Sequence, residues 1–287
     1  MKCGKRVVFA GLARNCAHSL PAILRSLEDI GSGADDWGYV FLENNSFDGT
    51  ARQLRSFHNR HHRGVMRSFG DLESKVPKRT ERLAILRNKC LDEIFASETM
   101  SAFEYVVILD LDGVNERIDK DRLLYLMELD RPPWAAIFAN QSESYYDLWA
   151  LRHPTISPDD CLKRVRLRPA GMSEEEAVKA FVDTRKISLD PSEGLFEVDS
   201  AFGGLGLYDL QALPGCRYIG VDEEGHEICE HVSLHADLKE RGGRLYIDPA
   251  LINGTGTSRH DARLKLAARL KRSFHKRRAR IRAMKAT

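Results

Sequence analysis

Apolar runs of strand length alternate with helix-patterned segments through the first 110 residues, and this rhythm restricts the fold more than any other feature. Residues 7–10 (VVFA), 39–42 (YVFL) and 105–109 (YVVIL) are uninterrupted apolar runs, and 65–69 (VMRSF) is a plausible third strand between them. Between them lie segments whose apolar residues recur every three or four positions. Residues 19–30 carry Leu20, Ile23, Leu24 and Leu27 on one face, the segment opened by Asp48-Gly49-Thr50 carries Leu54 and Phe57, and residues 79–95 carry Leu83, Leu86, Cys90, Leu91 and Ile94. Strands without polar alternation, each followed by a helix, predict an α/β domain with a mainly parallel sheet covered on both faces.

The rhythm changes after Asn115. A helix is expected near 121–129, a strand at 134–139, a charged helical insertion or lid at 154–190, a helix at 227–241 ending on Gly242-Gly243, and a final strand at 244–247. The segment 196–208, which contains FGGLGLY, is too glycine-rich for an ordinary strand. No repeat is present.

The net charge of +2 hides a division. Of the 44 Lys and Arg, 11 lie in the last 25 residues, after the final acid Asp261. The remaining 33 face all 42 acids, leaving residues 1–262 with a net charge of −9. The expected organisation is an acidic domain over 1–260 and a basic amphipathic tail over 261–287. In that tail Ala267, Leu270, Phe274, Ile281 and Met284 form a narrow apolar stripe among basic residues, a pattern suited to an anionic membrane surface. Nucleic-acid binding and a solvated tail are the rivals, and no nucleic-acid partner is expected. The six cysteines form no C-x-x-C pair, which argues against a zinc knuckle or a disulfide framework and for a reduced cytoplasm. No stretch reaches the length of a spanning helix.

Three motifs carry chemistry. The strand 105–109 runs into Asp110-Leu111-Asp112, and ligands of open α/β sheets bind beyond the carboxyl ends of the strands. Two carboxylates there repel one another unless a cation joins them, and Mg²⁺ or Mn²⁺ takes such oxygens together with phosphate. A solvated loop whose acids cap the next helix is the plainer alternative. ENNSFDGT (43–50) follows the second strand; Ser46, Asp48 and Thr50 suit helix capping, whereas Glu43 and Asn44 suit a nucleoside. Arg14, Arg79, Arg82 and Arg87 are positioned along the sequence to reach a diphosphate.

Taken together, E-N-x-S-x-D-x-T, then R-x-x-x-L-A-x-x-R-N, then a strand ending in D-x-D resemble nucleotide-sugar glycosyltransferases of the GT-A type. The likeness is nearest to the fungal capsule-associated and α-1,3-mannosyltransferase-like enzymes and their bacterial relatives, and it extends over roughly residues 5–260. It implies a GT-A, Rossmann-like fold and transfer of a hexose from a UDP or GDP sugar to a surface glycan or lipid-linked acceptor, with retention favoured. It also implies a location at the inner face of the cell membrane. The implied nucleotide-sugar pocket comprises Ala10, Arg14, Glu43, Asn44, Arg87, Asp110, Leu111, Gly203 and Gly204. Asp110, Asp112 and His260 would hold Mn²⁺ or Mg²⁺. Glu230, in CEHVSLHADLKERGG, is the expected catalytic acid, serving as base or orienting the acceptor. The chain departs from the pattern at His231, where related inverting enzymes carry an aspartate, and helix capping is an open alternative for both residues. Tyr145, Tyr146 and Trp149, beside Asp147 and Arg152, suit a sugar acceptor, and core packing explains them equally well. A nucleotidyltransferase is the rival enzyme, but the loop GLARN offers one glycine and one arginine where a phosphate loop needs more.

Overall fold

Two-residue periodicity within the first strands sets the layering of the molecule. The computed structural model describes residues 2–129 and 134–254. The strands are β1 (Arg6–Ala13), β2 (Asp36–Glu43), β3 (Gly64–Ser68), β4 (Tyr105–Asp110), β5 (Ala136–Gln141), β6 (Phe196–Val198), β7 (Leu205–Asp209) and β8 (Leu245–Gly254). The helices are α1 (Leu20–Gly33), α2 (Thr50–His61), α3 (Arg79–Ala96), the short α4 (Glu98–Ser101), α5 (Lys120–Glu128), α6 (Cys161–Arg166), α7 (Glu174–Phe181) and α8 (Glu230–Glu240).

Among the described residues the strands form one sheet in the order β3-β2-β1-β4-β7-β5-β8-β6. Neighbours β3, β2, β1 and β4 are parallel, β5 and β8 are parallel to each other, and β7 runs antiparallel between β4 and β5. Alternate residues enter opposite cores. Val8, Ala10, Val40, Leu42, Val106 and Ile108 join the layer covered by α3 and α8. Val7, Phe9, Tyr39, Phe41, Val107 and Leu109 join the layer covered by α1, α2 and α5. Each fully buried aliphatic or aromatic side chain contributes about 1.5–3 kcal/mol, so two-sided burial fixes the register strongly. The result is the mixed, mainly parallel sheet flanked by helices that the strand and helix rhythm predicts.

The glycine-rich segment departs from expectation, because β7 lies at the centre of the sheet. Gly206 permits this: a Cβ there would approach the Tyr208 ring to 2.7 Å and the Phe138 ring to 3.0 Å. The insertion at 154–190 folds as α6 and α7 and is pinned by Arg185, which donates to Ser157 Oγ at 3.1 Å and the Asp159 carbonyl at 2.6 Å. Met1, residues 130–133 and everything from Thr255 onward, including His260 and the basic tail, lie outside the described residues.

Candidate active site

The carboxyl ends of β1, β2, β4, β5 and β8 and the start of β7 bring the predicted motifs to one edge of the sheet. At its centre is a buried ionic chain. Arg87, on α3 and 4% exposed, donates from Nη2 to Asp110 Oδ1 at 2.8 Å and from Nε to Glu230 Oε1 at 3.0 Å. Its guanidinium lies 5.0 Å from the Phe202 ring centre. A carboxylate beside a buried arginine offsets part of the desolvation cost of each. Nε and Nη2 thus serve two protein carboxylates, while Nη1 is buried with no hydrogen-bond partner among the described residues.

Glu230 occupies the first turn of α8 but is not its cap; Cys229 holds that position without a side-chain cap. Only 4% exposed and bound to Arg87, Glu230 presents no open face to an acceptor, contrary to expectation. His231 is buried, with its ring stacked on Phe202 at 3.7 Å and neither nitrogen hydrogen-bonded. Burial, reinforced by Arg87, pushes its pKa well below the ordinary histidine value, so it is neutral.

Asp110 keeps a third of its side chain exposed while Arg87 fixes one oxygen. Asp112 is exposed and accepts the Val114 N–H at 3.2 Å, capping the short helical turn Gly113–Asn115. The plainer reading, an acid capping the next helical turn, is therefore realised at Asp112. Two hard carboxylate oxygens at a solvent-facing strand end fit Mg²⁺ or Mn²⁺, which bind one or two carboxylates and complete their shell with phosphate and water. Among the described residues a tighter ligand group exists at Asp222, Glu224 and His226. That group is a turn closed by the Asp222 carboxylate, which accepts the His226 N–H at 2.7 Å.

The two N-terminal loops are interlocked. Ser46 Oγ accepts the Asn15 N–H at 3.1 Å, Asn15 Oδ1 accepts the Phe47 N–H at 3.0 Å, and Asp48 accepts the Ala17 N–H at 3.1 Å. Thr50 Oγ1 accepts the Cys16 N–H at 2.9 Å. Asp48 and Thr50 therefore tie β1–α1 to β2–α2, and although Gly49 at the N-cap position of α2 has no side chain, Asp48 accepts the N–H of Thr50, the first residue of the helix, at 3.1 Å. Glu43 is buried and accepts from the Ser46 N–H at 2.5 Å and from the Ser68 hydroxyl, while Asn44 donates to the Gly70 carbonyl at 2.6 Å. These two residues thus have the local structural duty that the sequence did not reveal. Arg14 is partly exposed and paired with Glu73 at 2.5 Å. Arg82 is spent on the Val76 and Pro77 carbonyls.

Other assignments change with burial. Leu111 is fully buried against Gly11, where an added Cβ would lie 2.7 Å from Leu111 Cγ. Ala10 faces a cavity of about 10 Å³ lined with Arg87, Cys90, Ile108 and Tyr218, which is too small for a nucleobase. Tyr145 is core: its hydroxyl accepts the Phe202 N–H at 2.8 Å. Trp149 is partly buried and donates to Asp160 at 3.1 Å. Tyr146 remains at the site, its hydroxyl held protonated by burial and by Asp147, Asp110 and Asp112. Gly203 and Gly204 have φ of 63° and 85°, and a Cβ on Gly204 would lie 2.5 Å from Val114 and 3.1 Å from the Tyr146 hydroxyl. In the direction a Cβ would take, the space beside both glycines is filled by protein atoms.

An amide network beneath the site escaped the sequence reading. Asn115 Nδ2 donates to the Asp110 and Gly204 carbonyls at 2.8 and 2.7 Å, Asn253 Nδ2 donates to Asn115 Oδ1 at 2.7 Å, and Gln141 Nε2 donates to the Gly203 carbonyl at 3.0 Å. Its only signal was three amides near strand ends. Deeper still, His235 bridges Ser200 Oγ at 2.8 Å and the Tyr208 hydroxyl at 2.9 Å, and burial holds its pKa down at about 3.

No family model and no curated protein matches the chain. Solved structures of similar fold include the mannosyltransferase PcManGT from Pyrobaculum calidifontis in complex with GDP-Man and Mn²⁺, with 16% identity, 89% of this chain and 58% of that one covered, and a TM-score of 0.49. S. aureus TarS 1–349 in complex with UDP-GlcNAc gives 12% identity, coverage of 86% and 56%, and a TM-score of 0.48. Glucosyl-3-phosphoglycerate synthase of M. tuberculosis in complex with UDP gives 14%, 89% and 72%, and 0.45. The chain spans little more than half the length of the first two. At these identities none of them identifies it.

Proposed function

We propose that the chain is a metal-dependent glycosyltransferase that moves a hexose from a nucleotide-diphosphate sugar to a cell-surface or lipid-linked glycan. One observation carries the reading: Asp110 and Asp112 stand at the carboxyl end of β4, with Asp110 held in place from beneath by the buried Arg87–Glu230 pair. A fixed carboxylate beside an exposed one is a preorganised oxygen-donor pair, and preorganisation is where electrostatic catalysis gains most. Asp110 and Asp112 would hold the ion, with His260 as a further ligand; bound there, it supplies Lewis-acid charge neutralisation on the leaving diphosphate. Arg14 can exchange Glu73 for a phosphate, since an exposed pair contributes little. Glu43 and Asn44 shape the floor of the nucleoside side, and Tyr146 offers a hydroxyl to the sugar.

Both stereochemical routes begin from this arrangement. Retention, which the resemblance favours, lets the leaving diphosphate take the acceptor's proton, whereas inversion needs a carboxylate that can. Among the described residues no helix is long and apolar enough to cross a membrane. Contact with an anionic inner leaflet would fall to the basic tail.

A thermal-shift panel of UDP, GDP and CMP sugars with and without Mn²⁺ tests the reading, because a ligand that binds the native state raises its apparent stability. The expected result is a Mn²⁺-dependent shift with one donor class that disappears in Asp112→Ala and with chelator. A shift that survives both overturns metal dependence; no shift with any sugar nucleotide overturns the function.

A further inference from the structure

Glu230 is occupied by Arg87, and the site has a second inner carboxylate that is not. Asp147 lies in the loop after β5, between the core residue Tyr145 and Trp149, and retains partial exposure. Its Oδ2 accepts the Gly203 N–H at 3.2 Å and its Oδ1 accepts the Ala150 N–H at 3.4 Å. Both contacts are at or beyond the long end of the normal range, so each oxygen keeps accepting capacity while the side chain stays oriented. Arg87 neutralises Asp110 and Glu230. No ion pair among the described residues neutralises Asp147, whose strongest charged neighbour is the carboxylate of Asp110. The carboxylate of Asp110 thus has as its neighbour one held by the backbone N–H groups of Gly203 and Ala150.

Resting on the sugar-transfer reading above, we propose that Asp147 is the general base that receives the proton of the acceptor hydroxyl. The acceptor O–H bond breaks and its proton passes to the Asp147 carboxylate. The freed oxygen lone pair forms the bond to C1 of the donor sugar. The C1–O bond to the diphosphate breaks, and its electron pair leaves on the diphosphate oxygen. Charge and atoms balance without a further reactant. Attack from the side opposite the leaving group inverts C1, in contrast to the retention implied by the resemblance. Burial, the larger cause, raises the Asp147 carboxyl above the ordinary aspartate range, towards the values that suit a base working near neutrality. Glu230 is then a positioning residue for Arg87 and Asp110.

The test uses the full chain, Mn²⁺, and UDP-glucose, UDP-GlcNAc and GDP-mannose as probes, with water as the acceptor. Donor binding is read by thermal shift and turnover by release of nucleotide diphosphate. Asp147→Asn should bind the donor as the wild type does and release nucleotide about 100-fold or more slowly, the range lost with a general base. Sodium azide, an anionic nucleophile with no proton to remove, should restore release in this variant, which a merely structural role would not produce. Asp147→Glu provides the same test should the Asn variant not fold, with donor binding intact and slower release expected. Turnover within fivefold of wild type, loss of donor binding, or a wild type that binds donor but never releases nucleotide to water overturns the inference alone. Failure of all three sugar nucleotides to bind the wild type overturns the sugar-transfer reading, and the inference with it.

Discussion

Replacing Arg87 with methionine keeps much of the aliphatic volume and removes the charge that links Asp110 to Glu230. The two carboxylates left behind are not equivalent. Asp110 has 33% of its side chain exposed and remains hydrated, so its loss of a partner weighs little. Glu230 has 6% exposed and becomes an uncompensated buried charge beside an apolar side chain. Removing one member of a buried pair costs about 3–5 kcal/mol, and the loss of the guanidinium over the Phe202 ring adds to this. Urea denaturation at pH 7 should therefore place Arg87→Met about 3–5 kcal/mol below the wild type. Arg87→Met combined with Glu230→Met removes the stranded charge and should recover at least half of that loss, because an apolar pair of similar volume replaces a buried ion pair at little cost. The double-mutant cycle then gives a coupling of about 2 kcal/mol or more. A single-variant cost below about 1 kcal/mol, or a double variant no better than the single, would refute the claim that Glu230 is present to balance Arg87.

Three further outcomes follow from the same geometry. His235, held at about 3, is neutral in the fold and protonates below 6.5 when unfolded, so its contribution is complete above pH 6.5 and is lost as pH falls towards 3. Asp147, raised to about 6, acts in the opposite direction over a narrower window. The histidine dominates, and His231 adds to it, so urea stability should fall between pH 7 and pH 5 with about 2 kcal/mol from His235; a His235→Gln variant as steep as wild type contradicts this. Gly204→Ala adds a Cβ at φ 85° and 2.5 Å from Val114, and should lower the melting midpoint by at least about 4 °C, whereas Gly194→Ala, with nothing within 4 Å, should leave it unchanged. All six cysteines are free and buried, and burial pushes Cys16 and Cys90 up to about 12, so a thiol reagent should label essentially none in the native protein and six in urea.

The first half of the fold was legible because β1, β2 and β4 are buried on both sides and therefore written as unbroken apolar runs. β7 was not, because Gly203, Gly204 and Gly206 remove the side chains on which strand patterning depends, and the reason for them lies in Tyr208 and in Val114, Tyr146 and Phe138, the last three distant in sequence. Asp110 and Asp112 were legible from their place after a strand. The use of Arg87 was not, since helix position says which way a side chain points but not whether a carboxylate 143 residues later meets it. Glu43 and Asn44 show the same limit from the other side: Ser46 is near, but Ser68 and Gly70 come from the next strand and its loop, and none of the three carries a signature. Asp147 stood within a recognised aromatic cluster, yet that no described residue forms an ion pair with it is a property of the folded site.

The most direct measurement is an anomalous-difference map from crystals of the full chain grown with Mn²⁺ and a sugar nucleotide that stabilises it. A manganese peak between the diphosphate and the carboxylates of Asp110 and Asp112 is the predicted result. A nucleotide bound at that edge of the sheet with no metal on either aspartate would contradict it.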